Sequence, residues 1–214
     1  QASFATIHRK TPPIFTGMDM TLFLALLGFA FVASGTPGPN NLMLLASGAN
    51  FGFKRTLPHM LGISLGHSFM VFVIGLGLAH TFTSVPMLRT LLMMTSTVYM
   101  VWLAWKIAHA AAPEEGKVGG KPFTFLQAAA FQWVNPKAWI MAIGAQTNYA
   151  QGHGWTAALF VGLGFLMVNF PAITMWAWMG TELRRFLTNP RRLLAFNWTM
   201  AGLLIASLIP ILVH

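Results

Sequence analysis

The sequence has no cysteine and little charge. Its 214 residues include 4 acidic side chains and 13 Lys or Arg, so that 8% of the chain is charged, whereas a typical soluble domain has about 25%. Without cysteine the chain cannot form disulfides, ligate zinc through thiolates or carry out thiol chemistry. The acidic residues, which all lie at the ends of apolar stretches or between them, are Asp19, Glu114, Glu115 and Glu182. We therefore expect no multivalent metal site inside a membrane and no cofactor.

Apolar residues make up 56% of the chain. They are gathered into six stretches, each near the ~20 residues that cross a bilayer as a helix. The stretches cover about 21–48, 57–80, 87–109, 124–150, 155–181 and 193–213. This pattern predicts an all-α membrane protein with six transmembrane helices, surrounded by membrane lipid.

The formal net charge of +9 is spread over the connections between stretches and forms no basic cluster, which disfavours a nucleic-acid partner. Basic residues lie at the end of or after the first, third and fifth stretches, at Lys54, Arg55, Lys106, Lys117, Lys121, Arg184, Arg185, Arg191 and Arg192. Where the second stretch connects to the start of the third, there is only Arg89. By the positive-inside rule, the richer side is cytoplasmic, and both termini are predicted to lie outside.

Two stretches are interrupted by helix-breaking residues at matching places. The first contains Thr36, Pro37, Gly38, Pro39, Asn40 and Asn41, and the fourth contains Asn135, Pro136 and Lys137. A proline inside a helix removes a hydrogen bond, and in hydrocarbon no water replaces it. Such backbone is tolerated at membrane depth only where protein buries it or where it lines a cavity. We therefore expect both breaks to line a site.

The matching breaks divide the chain into two repeats. Residues 1–17 are interpreted as a tail, or as sequence upstream of a start at Met18 or Met20, and residues 18–214 as one six-helix domain. The first repeat covers about 20–110 and the second about 124–214. Because three helices are an odd number, the second repeat must be inverted relative to the first, which is the layout of many secondary transporters.

The breaks predict a binding site near the middle of the membrane. Asn135 with Pro136 is typical of a helix N-cap and first turn, and Gly38 with Pro39 is similar. Two restarted half-helices would then present their N-termini, with free N–H groups, near the midplane, which favours a carboxylate. Lys137 adds a cation there, although it could instead bind helix-end carbonyls as a structural cation.

Three other polar residues are weaker candidates. His67 on the second helix could carry a proton, although buried histidines more often serve in packing. Gln132 and Asn169 could donate to a substrate or join helices.

The stretch from Ser34 to Asn40, the glycine-rich second helix and Asn135-Pro136-Lys137-Ala138 resemble the lysine exporter (LysE/RhtB) family of bacterial amino-acid efflux proteins. The resemblance covers about residues 20–214. It implies a secondary carrier of the bacterial inner membrane that exports amino acids or close analogues, driven by protons, with a homodimer as a further expectation. The family's motif residues correspond here to Thr36, Pro37, Gly38, Pro39, Asn40, Asn135, Pro136 and Lys137.

Together these observations predict a proton-coupled exporter of neutral amino acids. Its half-helices and Lys137 would bind the substrate carboxylate, Asn40, Asn41 and Asn135 would orient the substrate, and one three-helix half would rock against the other. A passive amino-acid channel and a non-transporting membrane subunit are the alternatives. An enzyme is not expected, because the stretches hold no cysteine pair, no metal cluster and no paired carboxylates.

Overall fold

The described part of the chain is entirely helical. In a computed structural model, residues 19–78, 84, 86–110, 121–152 and 154–209 are described, and they form helices and turns with no β-strand among them. The prediction of an all-α protein is confirmed for these residues. The predicted tail at 1–17 lies outside the described residues.

Eight α-helices follow one another along the described chain. They are α1 (Met20–Gly35), α2 (Pro39–Phe51), α3 (Phe53–Val73), α4 (Pro86–Ala108), α5 (Phe125–Phe131), α6 (Pro136–Tyr149), α7 (Trp155–Leu183) and α8 (Pro190–Ala206). A π-helical turn at Ile74–Leu78 extends α3, and a 3₁₀ turn at Gln132–Val134 extends α5. The first predicted stretch is thus α1 with α2, and the fourth is α5 with α6.

Three segments of the described chain are long and apolar enough to cross a membrane singly, namely Phe53–Leu78, Thr90–Ala108 and Trp155–Leu183. The pair α1 and α2 gives a fourth candidate if it is one span bent by 56°. The six predicted spans are therefore not all confirmed. The break at Asn135 divides the fourth stretch into α-helices of 7 and 14 residues, and α8 has 17 residues, which is short of a full crossing.

Many large apolar side chains point away from the rest of the protein. Phe31, Val98, Ile140 and Met167 are each more than half exposed. Large exposed apolar surfaces are rare on soluble proteins. In a membrane protein the same side chains contact lipid acyl chains.

The closest helix contacts join the first half of the chain to the second. Gly48 on α2 lies against the backbone of α7, and Gly180 on α7 lies against the backbone of α2, with no space for a Cβ atom at either position. Gly62 and Gly66 on α3 lie equally close to α5. Small residues permit this approach. A rocking motion of one whole half against the other would have to separate these contacts.

Contacts at the two ends of the molecule fix the directions of the broken helices. The N–H of Asp19, before α1, donates to Oε1 of Gln151, after α6, at 3.1 Å. At the other end, Nδ2 of Asn50 in α2 donates to Oδ1 of Asn197 in α8 at 2.9 Å. Asn50 also lines one cavity with Phe123, which precedes α5. The two broken helices therefore run in opposite directions.

Candidate functional site

The first break separates α1 from α2. Backbone dihedrals turn from helical to extended at Thr36, where φ is −67° and ψ is 146°. Pro39 is the first residue of α2, and Gly38 before it supplies no side-chain cap. Proline suits this position because its fixed φ matches the helix and it lacks only an N–H that would be unpaired anyway. The predicted break and restart are confirmed.

One side chain of the break and one from α7 satisfy carbonyl groups that α1 leaves at its end. Nδ2 of Asn41 donates to the carbonyl oxygens of Ser34 and Thr36, both at 2.7 Å. Nε1 of Trp176 in α7 donates to the carbonyl oxygen of Gly35 at 3.0 Å. A helix end needs such partners when it is buried. Asn41, which was predicted to orient a substrate, thus holds the break together in this conformation.

The second break is completed by its own residues. Asn135 is the N-cap of α6, and its Oδ1 accepts from the N–H of Lys137 at 3.2 Å. Its carbonyl oxygen accepts from the N–H of Ala138 at 3.0 Å. Nε1 of Trp139 donates to the carbonyl oxygen of Trp133 at 2.9 Å. The predicted N-cap is confirmed, and its side chain is occupied by the capping bond.

Lys137 reaches from the second break to the first. Its Nζ donates to the carbonyl oxygen of Thr36 at 2.7 Å, to Oγ1 of Thr36 at 2.8 Å and to the carbonyl oxygen of Pro37 at 3.3 Å. A cation is stabilised at the C-terminal end of a helix by the helix dipole. The Lys137 side chain also passes over Gly38, where a Cβ would lie 2.7 Å from its Cδ. Glycine at position 38 thus makes room for the lysine.

A second bridge joins the breaks in the opposite sense. Nδ2 of Asn40 donates to Oε1 of Gln132 at 2.9 Å, and Nε2 of Gln132 donates back to Oδ1 of Asn40 at 3.1 Å. Asn40 and Lys137 are each the second residue of a restarted helix. Lys137 binds the first break, and Asn40 binds Gln132 just before the second break. Each break therefore supplies one side chain that contacts the other.

A small cavity lies where the breaks meet. The predicted site residues that line it are Gly38, Asn40, Asn41, His67, Asn135 and Lys137. Thr36 and Pro37 instead accept hydrogen bonds from Lys137, while Pro39 and Pro136 begin the half-helices. The cavity volume is about 20 Å³, which holds about one water molecule. The structure thus brings the predicted residues together around a cavity that is too small to hold an amino acid in this conformation.

Several polar atoms at this cavity have no hydrogen-bond partner within the part of the chain that the structure describes. They are Oγ of Ser34, both ring nitrogens of His67 and Oδ1 of Asn169, and the three residues are 2–5% exposed. The His67 ring touches only the edge of Phe165 among aromatic neighbours in the described chain, at 5.1 Å between ring centroids. Buried polar groups are nearly always paired. These atoms are therefore suited to a polar ligand.

The arrangement suits a zwitterion. Lys137 and the N-terminus of α2, which has no side-chain cap, attract a carboxylate. The carbonyls of Thr36 and Pro37 now accept from an ammonium group, that of Lys137, and Oδ1 of Asn169 is a further acceptor. Among the described residues there is no group of three or more side chains able to hold a metal ion.

A family model for the LysE type translocator matches residues 29–209. The chain belongs to the LysE type translocator family. This confirms the resemblance to the lysine exporter (LysE/RhtB) family, which comprises amino-acid efflux transporters and not enzymes.

Among the curated relatives of this LysE-type chain are the cysteine/O-acetylserine efflux proteins of Escherichia coli K12, Escherichia coli O139:H28 (strain E24377A) and Shigella sonnei (strain Ss046). Each is 30% identical over 191 residues, which are 88% of this chain and 96% of the relative. No solved structure gives a significant match.

Two residues of the LysE-type site escaped sequence reasoning. In the sequence Ser34 belongs only to the motif before the break, whereas in the structure its hydroxyl lies at the cavity with no hydrogen-bond partner among the described residues. Trp176 supports the first break from 141 positions away in the sequence. No local pattern marks a tryptophan for that role, since it depends on how α7 packs against α1.

Proposed function

We propose that this LysE-type protein exports small neutral amino acids, of the kind of cysteine and O-acetylserine, from the cytoplasm across the bacterial inner membrane in exchange for protons. The names of the curated relatives support this substrate class, since the match covers nearly the whole of each chain. The local chemistry supports it independently. Lys137 and the α2 N-terminus suit one carboxylate, and among the described residues no acidic side chain lines the cavity to hold a second cationic group.

The observation that carries the proposal is the bond between Lys137 and the first break. In the closed conformation the Lys137 ammonium occupies the carbonyl oxygens of Thr36 and Pro37. A substrate carboxylate would draw Lys137 away, and the substrate ammonium would take the same carbonyl oxygens. Each hydrogen bond that is lost when Lys137 moves is replaced by one to the substrate, which limits the free-energy cost of opening the site.

His67 is proposed as the proton site. Its unpartnered imidazole lines the same cavity as Lys137. A proton on His67 would place two positive charges in one poorly hydrated cavity, where their repulsion is strong. Protonation would therefore favour movement of Lys137 from its resting position, which links the proton to substrate exchange.

We further propose that the chain crosses the membrane six times as two inverted repeats, at about 20–110 and 124–214, with both termini outside. The opposite directions of the two broken helices and the crosswise bridges of Asn40 and Lys137 support this arrangement. The distribution of Lys and Arg supports the orientation.

Counterflow in proteoliposomes tests the function. Vesicles loaded with unlabelled O-acetylserine or cysteine should accumulate the labelled compound, and an imposed pH gradient should drive accumulation against the concentration gradient. Lysine and glutamate should exchange poorly. Accumulation that never exceeds equilibration under a pH gradient would favour the passive channel, and no exchange of any amino acid would refute the exporter.

Replacing Lys137 tests the site itself. Lys137→Met should weaken binding of O-acetylserine about 10- to 100-fold, the scale expected when a hydrogen bond to a charged group is lost. Lys54→Met, an exposed lysine outside the cavity, is the matched control and should bind normally. Equal binding by the two variants, measured by calorimetry on purified protein, would remove Lys137 from the site.

A further inference from the structure

A second and larger cavity lies away from the two breaks. It is enclosed by the C-terminal half of α2, the start of α3, the end of α4 and the residues before α5. Its volume is about 240 Å³, compared with about 20 Å³ at the breaks. One water molecule occupies about 30 Å³ in the liquid, so this cavity holds several waters, or one small amino acid.

The wall of this cavity is cationic and aromatic. Lys106 and Lys121 line it, and no acidic residue is among the described lining residues. Nζ of Lys106 lies 5.2 Å from the ring centroid of Trp102 and 5.5 Å from that of Phe123. Aromatic faces hold an ammonium group in place without neutralising it. The lysine is therefore positioned and still available to an anion.

A buried histidine adds an unpartnered polar group. His59 lines the cavity, is 1% exposed, and neither of its ring nitrogens has a hydrogen-bond partner among the described residues. Its ring stacks on Phe123 at 5.2 Å between centroids. The neighbouring hydroxyl of Ser47 is already paired with that of Thr56 at 2.9 Å. Because buried imidazole nitrogens normally have partners, His59 indicates a polar ligand in the cavity.

The cavity lies in line with the breaks along the same two helices. His59 and His67 are both on α3, two helical turns apart, which is about 12 Å at 1.5 Å per residue. On α2, Asn41 lines the first cavity and Asn50 the second. The second cavity also lies at the end of the molecule whose loops carry the basic residues assigned to the cytoplasm. It is thus placed between the cytoplasm and the breaks.

We propose that this cavity is a second binding site, which holds the exported amino acid before it reaches the breaks. Lys106 and Lys121 bind the carboxylate, His59 hydrogen-bonds a polar atom of the substrate, and Phe123 packs against its aliphatic part. This inference rests on the proposed export function for the identity of the ligand. It gives the transporter two sites in series along α2 and α3.

The absence of cysteine allows a direct test by thiol protection. Ile107 lines the cavity, so Ile107→Cys places the protein's single thiol there, and its alkylation by N-ethylmaleimide is followed in purified protein. O-acetylserine is the probe, because cysteine itself would consume the maleimide. We expect O-acetylserine to slow alkylation. Lys54→Cys, exposed and outside the cavity, should react at the same rate with and without it.

Additional substitutions in the Ile107→Cys protein test whether the protection arises in this cavity. Combined with Ile107→Cys, Lys106→Gln should raise the half-protecting concentration about tenfold, the loss of roughly one charge-assisted hydrogen bond. Lys121→Gln is the alternative should Lys106→Gln fold poorly. In the Ile107→Cys protein that also carries Lys137→Met, O-acetylserine should still slow alkylation. The second substitution removes a binding group at the breaks and leaves this cavity intact.

The outcomes test the second site separately from the export function. Absence of protection, protection that Lys137→Met abolishes, or protection unchanged by both Lys106→Gln and Lys121→Gln would overturn the second site, whatever counterflow shows. Protection that follows the expected pattern in a protein without counterflow would retain the site and refute the exporter.

Discussion

The two helix breaks are alike in sequence and differ in how they are completed. Each restarts a helix at a proline, Pro39 in α2 and Pro136 in α6. The second break is closed locally, because Asn135 caps the helix that follows it. The first break has no side-chain cap at Gly38 and, besides its own Asn41, relies on side chains from other helices, among them Lys137 of the second break.

This difference assigns separate tasks to the two breaks. A break that is stabilised by its own residues can keep its conformation while its neighbours move. The second break therefore holds the backbone of Lys137 in a fixed position. A break completed by a remote cation can exchange that cation for a ligand of the same charge. The first break is therefore the part of the site that changes when substrate binds, and substitutions at the two breaks should have different consequences.

The largest expected effect on stability within this comparison is at Asn41. Asn41→Ala removes the donor shared by the carbonyls of Ser34 and Thr36. The Thr36 carbonyl keeps Lys137 as a donor, but leaving the buried Ser34 carbonyl unpaired should cost about 2 kcal/mol. Unfolding in mixed SDS micelles measures the loss. Asn148→Ala, which removes a bond from an exposed asparagine to the carbonyl of Gly144, is the control and should change stability by less than about 0.5 kcal/mol. Equal values would show that the first break does not depend on Asn41.

Replacing Gly38 should weaken substrate binding more than it lowers the stability of the protein. Its φ of 176° is open to any residue, so Gly38→Ala brings no backbone strain, but the new Cβ would push the Lys137 side chain from Thr36. Loss of one charged hydrogen bond should weaken O-acetylserine binding about tenfold. Gly35→Ala is the matched control, since nothing lies within 4 Å of a Cβ there. Calorimetric affinities that are the same for both variants would contradict the packing of Lys137 over Gly38.

The sequence was sufficient to predict the breaks themselves. Proline and glycine act on the backbone at their own positions, so the ends of α1 and α5 and the N-cap at Asn135 could be located from local chemistry. The two breaks also meet in space at Lys137, whose Nζ lies 2.7 Å from the carbonyl oxygen of Thr36. That pairing followed from the matching positions of the breaks in the two halves.

The partners of individual side chains could not be predicted in the same way. Asn40 and Asn41 are neighbours in sequence, yet one pairs with Gln132 and the other with the end of α1. Which carbonyl or amide each one meets depends on the angle between α1 and α2 and on the approach of α5. The close packing of α2 against α7 could not be predicted either, because the sequence around Gly48 and Gly180 does not show which helices come into contact.

The amide pair between the breaks should give a measurable coupling. Asn40 and Gln132 exchange two hydrogen bonds, so Asn40→Ala and Gln132→Ala should each destabilise the protein, and the double variant should lose about 1 kcal/mol less than the sum. Asn40→Ala with Asn148→Ala, which share no contact, should be additive in the same SDS titration. Additivity for Asn40 and Gln132 would mean that the pair does not join the breaks in the membrane.

The smallest effect is expected at Asn135. Asn135→Ala removes the N-cap of α6, which should cost about 0.5–1 kcal/mol of stability, and Asn135→Ser should recover most of it because serine is also a good N-cap. Binding of O-acetylserine should change less than about twofold, since Pro136 still begins the helix and Lys137 keeps its reach to Thr36. A loss of affinity as large as that of Gly38→Ala would place Asn135 on the substrate. The second break would then be part of the changing site, and the contrast between a fixed and an exchangeable break would fail.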